Sequence, residues 1–376
     1  MNGTNHTVLS RPRGVCLRGK GDEASLFLDR LSALGLVTEV LQHRDTAAGE
    51  TTFRLSDAAA LRLTPGGDTT GLAASLHLDL EGSSDDQERE ILLAMLACPV
   101  RFEYASFAAL ASSVQVRRNI ANAAARTELA FDTSEAAERP CSHWTYSEDH
   151  GFTIIPGKPL IDALRKATQP EVSGRCYEFS CYRATEYVIL LGIAEELTKR
   201  NPVLLDRLQR QWETHAIKSC AFHDTFLIEY GSMEAPLPGK FYVPGDRLWF
   251  RNPDERSSDV EGYEGSWVIY LGGGLFSNFW KHHQPYTLDS KCLEIHHWRN
   301  GLYTDAAGEP RIDESVVDAH VRSSLNRPDE ARHIIAQMMR LRDPRGVYAQ
   351  GGCIDTSREY PKSICLLAEA FSLPHA

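Results

Sequence analysis

GRCYEFSCYRATEYVILLG, residues 174–192, predicts the helix on which the rest of the fold is organised. Ser180 is suited to cap a helix, and Cys181 follows it at about the first helical position. Apolar residues then recur from Ala184 at intervals of three and four, as on the buried face of a helix. Free backbone N–H groups and the positive end of the helix dipole favour a thiolate over a thiol. We therefore expect Cys181 to attack a carbonyl, with a packed, unreactive cysteine as the alternative.

The composition excludes several classes of partner. The 376 residues suffice for two or three domains, and the 42% hydrophobic content is ordinary for a globular protein. Forty basic against 51 acidic side chains give a net charge of −11, which argues against nucleic acid or an anionic membrane. Apolar runs are too short to span a membrane, and residues 1–20 lack the apolar stretch of a secretory signal. We expect a cytoplasmic protein; export without a cleaved signal and the oligomeric state stay open.

The nine cysteines form no CxxC pair and no regular disulfide framework. This pattern indicates a reducing compartment in which most thiols are structural. Cys141 and Cys176 are weaker candidates for a nucleophile than Cys181, because neither opens so clear a helix.

Side chains that bind metals also occur in the C-terminal half, namely His282, His283, Cys292, His296 and His297. Adjacent histidines on a strand face opposite sides, which disfavours shared coordination, so we expect no metal. Residues 272–274, Gly-Gly-Gly, lack the lysine and threonine of a phosphate-binding loop and predict a turn. No cofactor is expected.

The pattern of elements predicts an α+β fold in which the cysteine-bearing helix packs on an antiparallel sheet. Residues 1–87 are expected to form a small α+β accessory domain, with a helix over 26–36, strands at 37–41, 51–55 and 76–80, and a linker at 81–86. Residues 88–325 are expected to form the main domain, which carries Cys181 and is expected to be catalytic, with strands at 220–229, 246–251 and 267–271. Residues 326–376 are expected to be a helical extension, with helices over 330–341 and 363–371.

Arginines at 117, 118 and 126 lie within a predicted helix that crosses residues 107–124 and its end. Their side chains are a possible recognition surface for an acidic group, but a solvated helix face is the expected role.

Five segments in the same order resemble the bacterial spore-coat protein-glutamine gamma-glutamyltransferases. They cover about residues 95–325 and are CPVRFEY (98–104), the segment 144–152, YEFSC (177–181), PGDRLWFRNPD (244–254) and WVIYLG (267–272). The resemblance implies a core similar to the papain-like and NlpC/P60 amidases, with N-terminal and C-terminal additions. It also implies a catalytic cysteine, histidine and carboxylate.

Cys181 matches the cysteine of this family directly. His282 matches the histidine if a gap is placed after the predicted strand, with His283 as its substitute; without the gap the position is Phe279. The glutamates of the family align with Ser180 and Ser266. Glu264, two residues before Ser266, is expected to replace one of them because alternate residues of an extended chain face the same side. Glu178 is a second candidate.

The resemblance implies transfer of a protein glutamine acyl group to a lysine amine through a Cys181 thioester, with His282 as base and Glu264 as its orienting carboxylate. Backbone N–H groups at the helix start are the expected oxyanion donors. Aromatic side chains are expected to exclude water, namely those of Trp249, Trp267, Phe279 and Trp280. The alternatives are a glutamine deamidase or cysteine peptidase that uses the same acyl-enzyme, and an inactive binding protein of the same fold.

Overall fold

The structure is a computed structural model that describes residues 13–19, 22–134, 136–281, 283–343, 352–366 and 371–374. It confirms a mixed α+β content. The helices in the described residues are α1 (Glu23–Ala33), α2 (Asp57–Leu63), α3 (Leu72–Leu76), α4 (Ser84–Ala97), α5 (Phe107–Ala125), α6 (Leu160–Thr168), α7 (Pro170–Ser173), α8 (Cys181–Arg200), α9 (Pro202–Thr214), α10 (Cys220–Phe226), α11 (Glu255–Ser258), α12 (Leu288–Gly301), α13 (Glu314–Leu325) and α14 (Pro328–Met338).

The strands are mostly short and occur along the whole chain. They are β1 (Val15–Leu17), β2 (Val40–Asp45), β3 (Glu50–Leu55), β4 (Phe102–Tyr104), β5 (Ala130–Phe131), β6 (Trp144–Ser147), β7 (Gly151–Ile154), β8 (Glu178–Phe179), β9 (Leu227–Tyr230), β10 (Arg247–Arg251), β11 (Gly265–Gly272), β12 (Leu275–Phe276), β13 (Tyr286–Thr287), β14 (Leu302–Thr304), β15 (Pro310–Ile312) and β16 (Arg358–Pro361). No described helix is both long enough and apolar enough to cross a bilayer.

Helix α8 is the centre of one hydrophobic core, as the sequence predicts. The Ser180 hydroxyl accepts the N–H of Arg183, which caps the helix start. Helix α5 crosses α8 closely at Gly192, where an added Cβ would lie 2.5 Å from the Ile120 side chain. The glycine is required because any larger residue would force the two helices apart.

A six-stranded sheet lies against α8, in the order β13-β12-β11-β10-β16-β9. Strands β10 and β11 pair antiparallel, with Trp249 opposite Trp267. Strand β16 comes from the last part of the chain and pairs with both β9 and β10. The expectation that residues 326–376 are a helical extension is therefore wrong beyond α14.

Two further strand and helix predictions also need correction. The helix expected over 363–371 is absent from residues 363–366 and 371; residues 367–370 lie outside the described part. The segment expected as a strand over 220–229 begins with α10, and only β9 is extended.

The N-terminal region is not a separate core. Strand β1 pairs antiparallel with β3 and parallel with β4, which comes from beyond residue 87. Its apolar side chains also share a cluster with α4 and with Phe241 and Val243. Residues on both sides of the boundary expected between positions 87 and 88 thus share one hydrophobic core. The strand expected over 76–80 is wrong, because α3 ends at Leu76 and a turn follows. Residues 37–39 form a 3₁₀ turn, so β2 begins at Val40.

The turn before β10 is fixed by a buried ion pair. Arg117 Nη1 of α5 lies 2.7 Å from Asp246 Oδ1, and neither side chain is exposed. The Tyr230 hydroxyl also donates to Asp246. Gly245 has a φ of +86° and an added Cβ would lie 2.7 Å from the Arg117 carbonyl oxygen, so glycine is needed here. The prediction that Arg117 belongs to a solvated helix face is wrong.

Candidate active site

Cys181 is the first residue of α8, and its side chain is half-buried. The backbone N–H groups of Trp267 and Tyr182 face the sulfur and stabilise the thiolate. Tyr182 supplies one of the free N–H groups of a helix start, as expected. The Trp267 N–H comes from β11, and nothing in the sequence indicates that this group would face Cys181. Two donors from different elements therefore converge on this thiol.

Burial nevertheless raises the pKa of the Cys181 thiol above its ordinary value. Loss of hydration is the largest cause, and it outweighs the two N–H groups and the positive charge of Lys291. The negative charge of Glu264 adds to the rise. The N–H group of the helix start does favour the thiolate, as expected, but burial outweighs it. The proton of Cys181 therefore has to be removed when the sulfur attacks.

Lys291 of α12 is a cation near the thiol that the sequence analysis did not identify as a site residue. Its side chain is 2% exposed. Nζ lies 2.8 Å from Glu294 Oε2 and 4.0 Å from the centre of the Tyr286 ring. A signal was available in the sequence, because Lys291 lies on the same helix face as the buried Leu288 and Ile295. A lysine within an apolar helix face needs a partner in the interior.

Glu264 lies in a bend directly before β11 and is exposed. Its side chain accepts the Gly262 N–H at 3.4 Å, and its carbonyl accepts the Asn252 N–H at 3.0 Å. Its charge acts on Cys181, which places the carboxylate within electrostatic range of the thiol. Glu178, the second candidate, accepts the Glu138 N–H at 3.2 Å.

The two serines at the aligned glutamate positions have different surroundings. Ser180 caps α8, whereas Ser266 is 7% exposed and lies opposite Phe250 in the sheet.

His282 lies outside the described residues, so its predicted place beside Cys181 stays a prediction. His283 is exposed with a φ of +53°. It lines a cavity of about 950 Å³ together with Lys281 and Glu90. Phe279, the position matched without a gap, is 2% exposed, and its carbonyl accepts the Leu129 N–H at 2.7 Å.

Aromatic rings pack around Trp267, a residue whose N–H faces the thiol. The Trp267 ring stacks on Trp249 at 6.2 Å and meets the Tyr182 ring edge-on at 5.3 Å. The Arg247 guanidinium lies 4.8 Å from the Trp267 ring and 4.9 Å from the Tyr182 ring. Trp280 instead packs edge-on against Phe131 at 5.3 Å. Trp249 and Trp267, two of the four predicted aromatic side chains, thus lie on the strand pair that directs an N–H at the Cys181 sulfur.

The other reactive side chains form contacts that do not involve Cys181. Cys292 Sγ lies 3.7 Å from Cys353 Sγ in a buried cluster, and His297 bonds Ser324 and Asn300. In the described part of the chain, no three His, Cys, Asp or Glu side chains converge as metal ligands. Cys141 is exposed in a turn, and burial raises the pKa of Cys176.

A family model and a curated relative point to the same family. The family model described as "Protein-glutamine gamma-glutamyltransferase" matches residues 71–357, a wider span than residues 95–325. A protein-glutamine gamma-glutamyltransferase of Bacillus subtilis (strain 168) is 26% identical over 201 residues, which are 52% of this chain and 74% of that protein. A transglutaminase structure from Geobacillus stearothermophilus, without its C-terminal extension, has 19% identity and a TM-score of 0.38 over 57% of this chain and 96% of that one.

Proposed function

The chain belongs to the protein-glutamine gamma-glutamyltransferase family, and we propose that it joins protein glutamine and lysine side chains with Cys181 as the nucleophile. The observation that carries this assignment is the half-buried sulfur at the start of α8, faced by the N–H groups of Tyr182 and Trp267. A purely structural cysteine would not need two donors directed at its sulfur. The papain-like arrangement of helix and sheet belongs to the same proposal.

The reaction has two acyl-transfer steps. The Cys181 sulfur bonds to the side-chain carbonyl carbon of glutamine, and the C–N bond breaks with release of ammonia. The nitrogen of a lysine side chain then attacks the thioester carbon, an isopeptide bond forms, and the sulfur leaves. Each step passes through an oxyanion, and the N–H groups near the sulfur are suited to stabilise it.

Proton transfer requires a base because burial raises the pKa of the Cys181 thiol and makes its proton harder to remove. We assign this role to His282, since imidazole titrates near neutral pH without a large environmental shift. Glu264 is assigned as the carboxylate that orients the imidazole. Lys291 is assigned to stabilise the thiolate through its charge.

Transfer to an amine rather than to water needs a site that limits hydration. The rings of Tyr182, Trp249 and Trp267 pack on one another, and Tyr182 and Trp267 supply the N–H groups that face the sulfur; we assign these rings to limit its hydration. They also offer a surface on which the methylene chain of a lysine packs while its amine reaches the thioester.

Amine incorporation tests the assignment. The protein is incubated with a glutamine-containing protein and a labelled primary amine, and both incorporated label and released ammonia are measured. Cys181→Ala is expected to lower incorporation by at least about a thousandfold, because the covalent intermediate cannot form. Cys141→Ala removes an exposed thiol and is expected to keep the activity.

The same assay separates the alternatives. Ammonia release without incorporation would indicate a deamidase. Absence of both products, with a Cys181 that does not react with a thiol reagent, would indicate a binding protein. His282→Ala and Glu264→Gln test the remaining assignments, and unchanged rates in either variant would remove that residue from the mechanism.

A further inference from the structure

Arg247 is the first residue of β10, and it is 1% exposed. Its guanidinium carbon lies 4.8 Å from the centre of the Trp267 ring and 4.9 Å from the centre of the Tyr182 ring. These two rings also meet each other edge-on at 5.3 Å. The guanidinium is therefore the third member of a packed cluster that joins the start of α8 to β11.

The register of the sheet places Arg247 in this cluster. Within the β10–β11 pair, Arg247 lies opposite Ile269, and Trp249 lies opposite Trp267. Alternate residues of a strand face the same side, and directly opposite residues of two antiparallel strands do so too. The side chains of Arg247, Trp249 and Trp267 thus share one face of the sheet. The Tyr182 ring contacts Trp267, so this face is directed toward the first turn of α8.

The charge of Arg247 has its partner on the C-terminal strand. Glu359 of β16 lies directly opposite Arg247 in the sheet, and its carboxylate accepts the Arg247 Nε–H. The other carboxylate oxygen of Glu359 lies 3.2 Å from Nε2 of the half-buried His223 in α10. The negative charge of Glu186 in α8 also acts on Arg247. These partners hold the guanidinium in one place, and its planar shape suits it to stack on the rings.

Tyr182 and Trp267 are also the two residues whose backbone N–H groups face the Cys181 sulfur. A ring that is held by packing limits the movement of the backbone N–H on the same residue. Groups that stabilise a transition state have to stay within about 0.5 Å of their productive positions, and the packing around them supplies that restraint. The cluster around Arg247 therefore restrains both donors at once.

We propose that Arg247, held by Glu359 of β16, is a positioning residue that keeps the Tyr182 and Trp267 N–H groups directed at Cys181 and at the oxyanion formed there. This inference rests on the proposed function, because the oxyanion arises only if Cys181 attacks a carbonyl. Arg247 acts through the two aromatic residues. The last strand of the sheet thereby takes part in catalysis, since it supplies the carboxylate that holds the guanidinium.

Steady-state kinetics of amine incorporation give the first test. In Arg247→Met, kcat is expected to fall about tenfold while KM stays within about twofold, because the two donors act mainly on the transition state. Arg247→Lys keeps the charge but not the planar group, so it should restore only part of the loss. The matched control is Arg358→Met. Arg358 is also a buried arginine of β16, but it packs on the Tyr242 ring at 4.3 Å, so its loss should lower the Tm and keep kcat.

Alkylation of Cys181 gives a second readout that does not depend on turnover. Its reaction with iodoacetamide is followed by mass spectrometry across a range of pH, with the exposed Cys141 as an internal reference. Both N–H groups favour the thiolate, so displaced donors should move the Cys181 profile about half a pH unit upward. Arg247→Met and Glu359→Gln are both expected to show this upward shift. A direct effect of the lost charges would instead move the two variants in opposite directions.

Tyr182→Leu provides a variant that leaves the Arg247–Glu359 ion pair in place, and it carries the test if Arg247→Met does not fold. The same upward shift is expected, because the guanidinium then has one ring fewer to hold. An unmoved Cys181 profile in the folded variants, or opposite shifts in Arg247→Met and Glu359→Gln, would overturn the inference and leave the proposed function intact. Upward shifts in a protein that incorporates no amine would support the positioning role and reject the transferase assignment.

Discussion

Arg117 is fully buried and Cys181 is half-buried, both close to the β10–β11 pair, and the charges of the two side chains have different support. The Arg117 guanidinium is permanently charged and has a permanent partner, Asp246, at 2.7 Å. The Cys181 sulfur is faced by two N–H groups and feels the charge of the Lys291 ammonium, and burial still raises its pKa. Because its charge is neutralised by the Asp246 carboxylate, Arg117 has a structural role. Partial support favours the charged form of the second group without offsetting the cost of its burial.

The largest effect is expected when the buried guanidinium of Arg117 is removed. Arg117→Met leaves Asp246 buried without its partner, and the free energy of unfolding is expected to fall by about 3–5 kcal/mol. Chemical denaturation measures the change. The matched control is Arg118→Met, since Arg118 is the next residue of α5 and is only half-buried; it should cost less than about 1 kcal/mol. Similar losses in the two variants would mean that the buried pair is not what fixes the turn before β10.

Glu90 gives an intermediate case, a buried acid with neutral partners. It is 1% exposed, accepts the Gly273 N–H at 2.7 Å, and has its pKa raised by burial to about 7. A raised carboxyl pKa means that the folded state holds the proton more tightly, so stability is lost as the pH rises from about 4.5 to about 7. The loss at high pH is about 3 kcal/mol.

Glu90→Gln is expected to abolish this part of the pH dependence. The free energy of unfolding of the wild type relative to the variant should fall by about 3 kcal/mol between pH 4 and pH 8. Unfolding curves at several pH values measure it, and Glu81→Gln, at an exposed acid near the same turn, serves as the control. Parallel pH profiles for wild type and Glu90→Gln would show that Glu90 is not held in its neutral form.

The smallest expected effect concerns Lys291 and the charge of the Cys181 thiolate. Without the charge of Lys291, the Cys181 thiolate loses one source of stabilisation, so Lys291→Gln should shift the ascending limb of the pH–rate profile to higher pH. A shift of one pH unit corresponds to about a tenfold loss at pH 7, or about 1.4 kcal/mol. Activity should recover as the pH rises. Lys240→Gln, at an exposed lysine paired with Asp68, should leave the profile in place, and an unmoved limb in Lys291→Gln would exclude Lys291 from thiolate stabilisation.

Local patterns made some parts of the site predictable. The cap at Ser180, the helix start at Cys181 and strands β10 and β11 follow from residue types and spacings within short segments. The domain boundaries and the C-terminal strand were not predictable in this way. Strand β16 has to pair with partners more than a hundred residues away, and β1 pairs with β4 across the expected boundary.

The sequence by itself determined the nucleophile candidate, the family resemblance and the central helix, because each is encoded by neighbouring residues or by ordered motifs. Only the tertiary structure decided that Arg117 is buried, that Lys291 lies near the thiol and that Trp267 directs an N–H at the sulfur. It also decided that burial raises the pKa of Cys181. The physical reason is that hydration and charge pairing depend on which distant elements pack together, and a local pattern does not contain that information.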